Sequence, residues 1–179
     1  MELVKFFTAP PIHKSKNTQN RYKKYIQAIS HHGVSVIEGQ FKKKTIKLKE
    51  GNKFYTKITH EEKESDVNIA LSILECSYEK LCDKILVITN DSDISPAIRM
   101  ALKKNSEIKI NVITPPLRKD QKPNYDLMHA SRSINKDKKG QIYFKTRLIK
   151  ESHLKNNMMP EIIEKDNGEK ILMPDKYLS

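Results

Sequence analysis

Two aspartates one residue apart, Asp91 and Asp93, follow the apolar run KILVIT at residues 84–89, and a third, Asp66, opens a helical pattern upstream. In a parallel α/β sheet the carboxyl ends of all strands, and the starts of the helices that follow them, share one edge. Asp66, Asp91 and Asp93 are therefore expected on the same side. Three carboxylates there repel, which raises at least one pKa unless a cation neutralises them. Mg²⁺ or Mn²⁺ suits such hard oxygen ligands and keeps waters that a phosphate oxygen can replace. The ion can activate water and stabilise charge developing on a phosphodiester. Asn68 and Asn90 are neighbours of this expected site, and Lys63 is a candidate phosphate contact.

Each aspartate also has a plainer reading. Asp66 suits the first turn of a helix through the helix dipole. Asp93 or Ser95 can cap the following helix, and Asn90-Asp91 can form an Asx turn. The D-x-D pattern lacks the third carboxylate and the glycine of a calcium loop. The six histidines show no metal spacing, and His31-His32 near a helix end complements the dipole. Ser92 and Ser95 lack the small-residue elbow of a hydrolase nucleophile.

The elements that must position these groups follow from periodicity. Residues 3–7 read as a strand stopped by Pro10-Pro11, and Asn17 or Thr18 is placed to cap a helix ending at Gly33. A second strand covers 34–37. The segments FKKKTIKL and KFYTKIT alternate around Gly51-Asn52 and predict a basic β-hairpin. Glu61-Glu62 read as a solvated lead-in to the helix that begins near Asp66. Val67, Ala70, Leu71, Leu74, Tyr78 and Leu81 give that helix a wide apolar face. Residues 84–89 resemble a strand buried on both faces, followed by a helix from about Ser95 to Lys104 and a strand in IKINVIT. Helices are expected near 125–132 and 146–154, and a turn or small hairpin around Asn167-Gly168. The alternation predicts an α/β fold with a mainly parallel sheet. Residues 1–116 form the expected α/β domain, and 117–179 a less regular basic extension packing on it.

Bulk properties narrow the class. The 179 residues carry a net charge of +12, arranged as +10 over 1–59, −3 over 60–110 and +5 over 111–179. An acidic centre between basic flanks suits a polyanionic partner, nucleic acid foremost. Two cysteines, Cys76 and Cys82, make neither a disulfide framework nor a zinc cluster and fit a reducing cytoplasm. No apolar run is long enough to cross a membrane, and the N-terminus does not read as a secretory signal.

Taken in order, KFFTAP, VIEGQF, HEEKESDVNIALSIL and ILVITNDSDISPAIRMAL resemble the NYN domain family, a branch of the PIN-like metal-dependent ribonucleases. The tail, SHLKNNMMPEII and MPDKYL, is similar to one bacterial subgroup. The resemblance implies a Rossmann-like, three-layer PIN fold and an Mg²⁺ or Mn²⁺ site that cuts RNA, with Asp66, Asp91 and Asp93 as its carboxylates. Members usually open with a strand ending in a D-G-x-N-like motif that supplies the first aspartate. Here the first Asp is residue 66, and the chain starts at what resembles the second strand. A partner strand, or an oligomer, is expected to complete the sheet. Two rivals stand beside the ribonuclease reading. One is an NYN-like module that binds RNA without cutting it. The other is a phosphotransfer enzyme of the haloacid dehalogenase type, in which D-x-D follows a buried strand.

Overall fold

The computed structural model describes residues 3–51, 53–116, 122, 124–128 and 144–177. Along the chain these form β1 (Lys5–Thr8), α1 (Lys16–His31), β2 (Ser35–Glu38), β3 (Gln40–Glu50), β4 (Lys53–Lys63) and α2 (Ser65–Tyr78). β5 (Lys84–Ile88), α3 (Ser95–Lys104), β6 (Lys109–Thr114), α4 (Tyr125–Met128) and β7 (Phe144–Leu148) follow. The chain closes with α5 (Glu151–Lys155), β8 (Ile162–Glu164) and β9 (Lys170–Leu172). Contacts divide it into two compact units, Met1–Asn68 with Met159–Ser179, and Ile69–Met158.

In the first unit, β1 and β2 pair in parallel, with Lys5 opposite Ser35 and Thr8 opposite Glu38. α1 connects them. Its cap is Ser15 rather than Asn17 or Thr18: the Ser15 hydroxyl accepts from the Thr18 amide at 3.3 Å, which starts the helix earlier than expected. Gly33 leaves the helix at φ 78°, a conformation open to glycine at little cost. Tyr22 of α1 donates its hydroxyl to Glu38 Oε1 at 2.8 Å. Partial burial, followed by the bond to Glu38, pushes the phenol pKa up to about 12. The tail hairpin β8–β9 turns at Gly168 and packs Ile163 and Ile171 against Ala28 of α1.

The expected basic hairpin forms and is longer than its alternation indicated. β3 and β4 are paired over eleven residues each, with Gln40 opposite Lys63. Glu61 and Glu62 therefore belong to a strand, not to a helix lead-in. Glu61 sits 3.0 Å from both Lys44 and Lys63, hydrogen bonds that hold its carboxyl below the usual range. The cross-strand partner Lys44 favours the extended state that the acidic residues alone do not signal.

In the second unit β5, β6 and β7 form a parallel sheet in that order. Ile73 of α2, Val87, Ile94, Ile98, Ala101, Leu102, Ile108, Ile110, Val112 and Leu127 make its core. Alternation along β6 buries Ile110, Val112 and Thr114 on one face. β5 differs from expectation. Val87 is buried, but Leu86 and Ile88 are 55% and 62% exposed, so only one face of this strand is covered. A helix expected over 146–154 divides instead: Phe144–Leu148 pairs with β6, and only Glu151–Lys155 is helical. Pairing with a neighbouring strand overrides a local helical pattern there. Residues 129–132 of the other expected helix lie outside the described residues.

The chain is thus α/β with both parallel and antiparallel pairs. The single, mainly parallel sheet expected from sequence is replaced by four separate sheets, two parallel and two antiparallel, among the described residues.

Candidate active site

The second unit gathers polar groups beyond the carboxyl end of β5, the edge at which α/β sheets carry their ligands. The Thr89 amide makes the last bond to β6, donating to Ile113 O at 3.0 Å. The Thr89 hydroxyl then accepts from the Asp91 amide at 3.0 Å. Asp91 Oδ1 in turn accepts from the Asp93 amide at 3.0 Å. Asp91 is therefore a cap, closing a 3₁₀ turn over Ser92–Ile94 that runs straight into α3. Ile94 is fully buried and anchors the turn, while Pro96 sits in the first turn of the helix.

Asp93 has a different place. With Ser92, Ser95, Pro96, Arg99 and Asp126 it lines an open pocket of about 560 Å³. Ser95 is only 2% exposed, and its hydroxyl oxygen has no hydrogen-bond partner. A buried polar atom left without a partner is costly.

Asp126 was not legible as a site residue, although the segment NYDL carries a cap signal, an Asn followed by an acid in the first turn. Asn124 Oδ1 accepts from the Leu127 amide at 3.1 Å and opens α4. Asn90 ties that segment to the end of β5: its Oδ1 accepts from the Asn124 amide at 2.9 Å, and its Nδ2 donates to Lys122 O at 3.4 Å. Asn90, expected as a neighbour of the site, thus holds the backbone that presents Asp126. Leu127, buried in the core, fixes the same short helix from below.

The remaining expected residues belong to the first unit. Asp66 is exposed in the first turn of α2, and the Asn68 amide makes a helical bond to Glu64 O at 2.8 Å. Lys63 pairs with Glu61 on the hairpin. Among the described residues, no group of three or more His, Cys, Asp or Glu side chains is gathered to hold one ion.

An acidic, hydroxyl-lined pocket at the strand ends of a parallel α/β unit is the kind of site that binds a cation or a phosphate. The chain belongs to the NYN domain family, whose model matches residues 4–134. It is also 28% identical over 142 residues to a 6-hydroxy-3-succinoylpyridine 3-monooxygenase, HspA, of Pseudomonas putida. That match covers 70% of this chain and 45% of the relative, so the chain spans less than half of that protein's length. No solved structure matches the chain significantly.

The family is PIN-like and implies a divalent cation. Two carboxylates and two hydroxyls line the pocket, all hard oxygen donors. One or two carboxylates with water suffice for Mg²⁺, and Asp93 and Asp126 supply them. The residues fit the ion.

Proposed function

We propose that the chain is a metal-dependent endoribonuclease with a Rossmann-like, three-layer PIN architecture, hydrolysing RNA phosphodiesters in a reducing cytoplasm. The observation that carries the reading is the pocket at the end of β5, lined by Asp93, Asp126, Ser92, Ser95 and Arg99. Asp93 and Asp126 would hold Mg²⁺ or Mn²⁺, with Asp91 capping the turn that carries Asp93. The ion supplies an activated water and charge stabilisation at the phosphate. Arg99 offers a planar donor fork for a phosphate oxygen. Asn90 and Asp91 keep the two acidic segments in register.

Cleavage of single-stranded and structured RNA with added Mn²⁺ tests this. Asp93→Asn and Asp126→Asn are each expected to lower the rate about a hundredfold, the loss of a charge that ligates the ion. Wild-type rates in both variants remove the pocket from the mechanism.

A second reading is an NYN module that binds RNA without cutting it. It is favoured by the lack of a three-carboxylate group among the described residues. It predicts salt-sensitive RNA affinity and no cleavage at any metal concentration. The relative's name adds oxidation of a hydroxylated pyridine, tested directly by oxygen consumption with 6-hydroxy-3-succinoylpyridine.

We also propose that β5 receives a further strand from a second copy of the chain. Asp83 O and the Thr89 amide bond to β6, so by alternation the main-chain groups of Lys84, Leu86 and Ile88 lie along the other edge. No described strand pairs there, and the exposed Leu86 and Ile88 stand on the same strand.

A further inference from the structure

The β3–β4 hairpin is not used by the site at β5, and its two faces are chemically unlike. Directly opposed residues of an antiparallel pair share a face. One face carries Lys42, Lys44, Lys53, Lys57 and Lys63, but also Glu50 and Glu61, and Glu61 pairs with Lys44 and Lys63. The other carries Lys43, Lys47 and Lys49, opposite His60, Thr56 and Phe54. From Lys43 outward this second face has no carboxylate. Among the described residues none of its three lysines forms an ion pair.

Phe54 stands on that uncompensated face and is 74% exposed, with Lys49 Nζ 5.7 Å from its ring centre. Ile58, on the same face, is 55% exposed. Phe54 and Ile58 thus present apolar surface on the same face as the unpaired lysines. Lysines beside an exposed aromatic ring describe a surface for a single-stranded nucleic acid: the ammonium groups take phosphates and the ring takes an unpaired base. Lys47 and Lys49 lie about 7 Å apart along the strand, comparable to the spacing of successive phosphates in an extended chain. A duplex hides its base faces and leaves the ring unused.

We propose that the face Lys43–Lys47–Lys49–Phe54 is the arm by which this protein holds single-stranded RNA. The inference rests on the RNA reading above and assigns it a surface apart from the acidic pocket.

The test is fluorescence anisotropy of a labelled oligo(U) of roughly 16 nucleotides, the upper site size of a single-strand-binding fold, with the full chain over a salt series. Phe54→Ala is expected to weaken binding about tenfold, within the range for loss of one stacked base. Lys43→Gln/Lys47→Gln/Lys49→Gln is expected to lower the slope of log K against log salt by about 2, at ~0.7 for each phosphate no longer neutralised. All four side chains leave the core untouched, so circular dichroism melting should stay at the wild-type midpoint. Lys53→Gln/Lys57→Gln on the opposite face should leave the slope at the wild-type value, and a fall of about 1.4 there, ~0.7 for each lysine, would overturn the choice of face.

Wild-type affinity in the first two variants overturns the arm while leaving RNA binding by the protein in place. Absence of RNA binding by the wild type overturns the RNA reading itself. Preference for duplex over single strand, or vesicle binding lost in variants that still hold RNA, also overturns the assignment.

Discussion

Asp91 and Asp93 are the same residue type two positions apart, yet only the first accepts the neighbouring amide and only the second lines the pocket. The difference gives a clean stability prediction. Asp91→Ala should cost about 1 kcal/mol, the worth of a cap, whereas Asp91→Asn keeps an acceptor oxygen and should cost a few tenths. Urea titration of both variants checks it, and equal losses would remove the cap. His13 is one residue that should make stability depend on pH. Its ring stacks on His60 at 4.4 Å and meets Phe41 edge-on, while Nδ1 is buried without a partner. Desolvation, then the charges of His60 and Lys14, lower its pKa from the ordinary histidine value. A histidine lowered in the fold takes up its proton more readily when unfolded. Its stabilising effect is therefore complete above about pH 6.5 and is lost as pH falls through the folded value. Urea midpoints measured down the pH scale should fall for the wild type and fall less for His13→Asn.

At the scale of elements, the strands and helices owe their order to different signals. α3 was legible from Pro96, because a proline in the first turn acts locally. Its Ile98 is fully buried, so Ile98→Ala should cost about 2–5 kcal/mol in chemical unfolding. A loss below about 1 kcal/mol would mean that the helix is not seated on the sheet. The end of β4 was not legible, because Glu61, Glu62 and Lys63 are extended through pairing with Lys42, Phe41 and Gln40, far upstream in the chain. Gly39 marks where that pairing begins. A side chain there would run into the Lys63 carbonyl and the Ser65 hydroxyl, a close approach that glycine permits.

For the whole molecule, the net charge of +12 favours a polyanionic partner and sets a salt dependence for any RNA binding. No helix among the described residues is long and apolar enough to cross a membrane. The edge of β5 away from β6 has its own consequence, since no described strand pairs there and an open edge on a strand with exposed Leu86 and Ile88 is a template for another chain. Light scattering across a concentration series should show self-association of the wild type that Leu86→Lys/Ile88→Lys abolishes. A monomer at every concentration rules out a second copy as the source of the added strand.

The sequence by itself determined the α/β class, the hairpin around Gly51 and the presence of acidic residues after β5. Each depends on residues close in the chain, where periodicity, turn chemistry and charge act directly. It also placed the chain by resemblance in the family that the match over residues 4–134 establishes. The tertiary structure alone decided that Asp93 shares its pocket with Asp126 and that Asn90 holds the segment leading to Asp126. Asp93 and Asp126 lie far apart in the chain. Nothing in local propensity brings such groups together; a buried Leu127 and the two hydrogen bonds of Asn90 do.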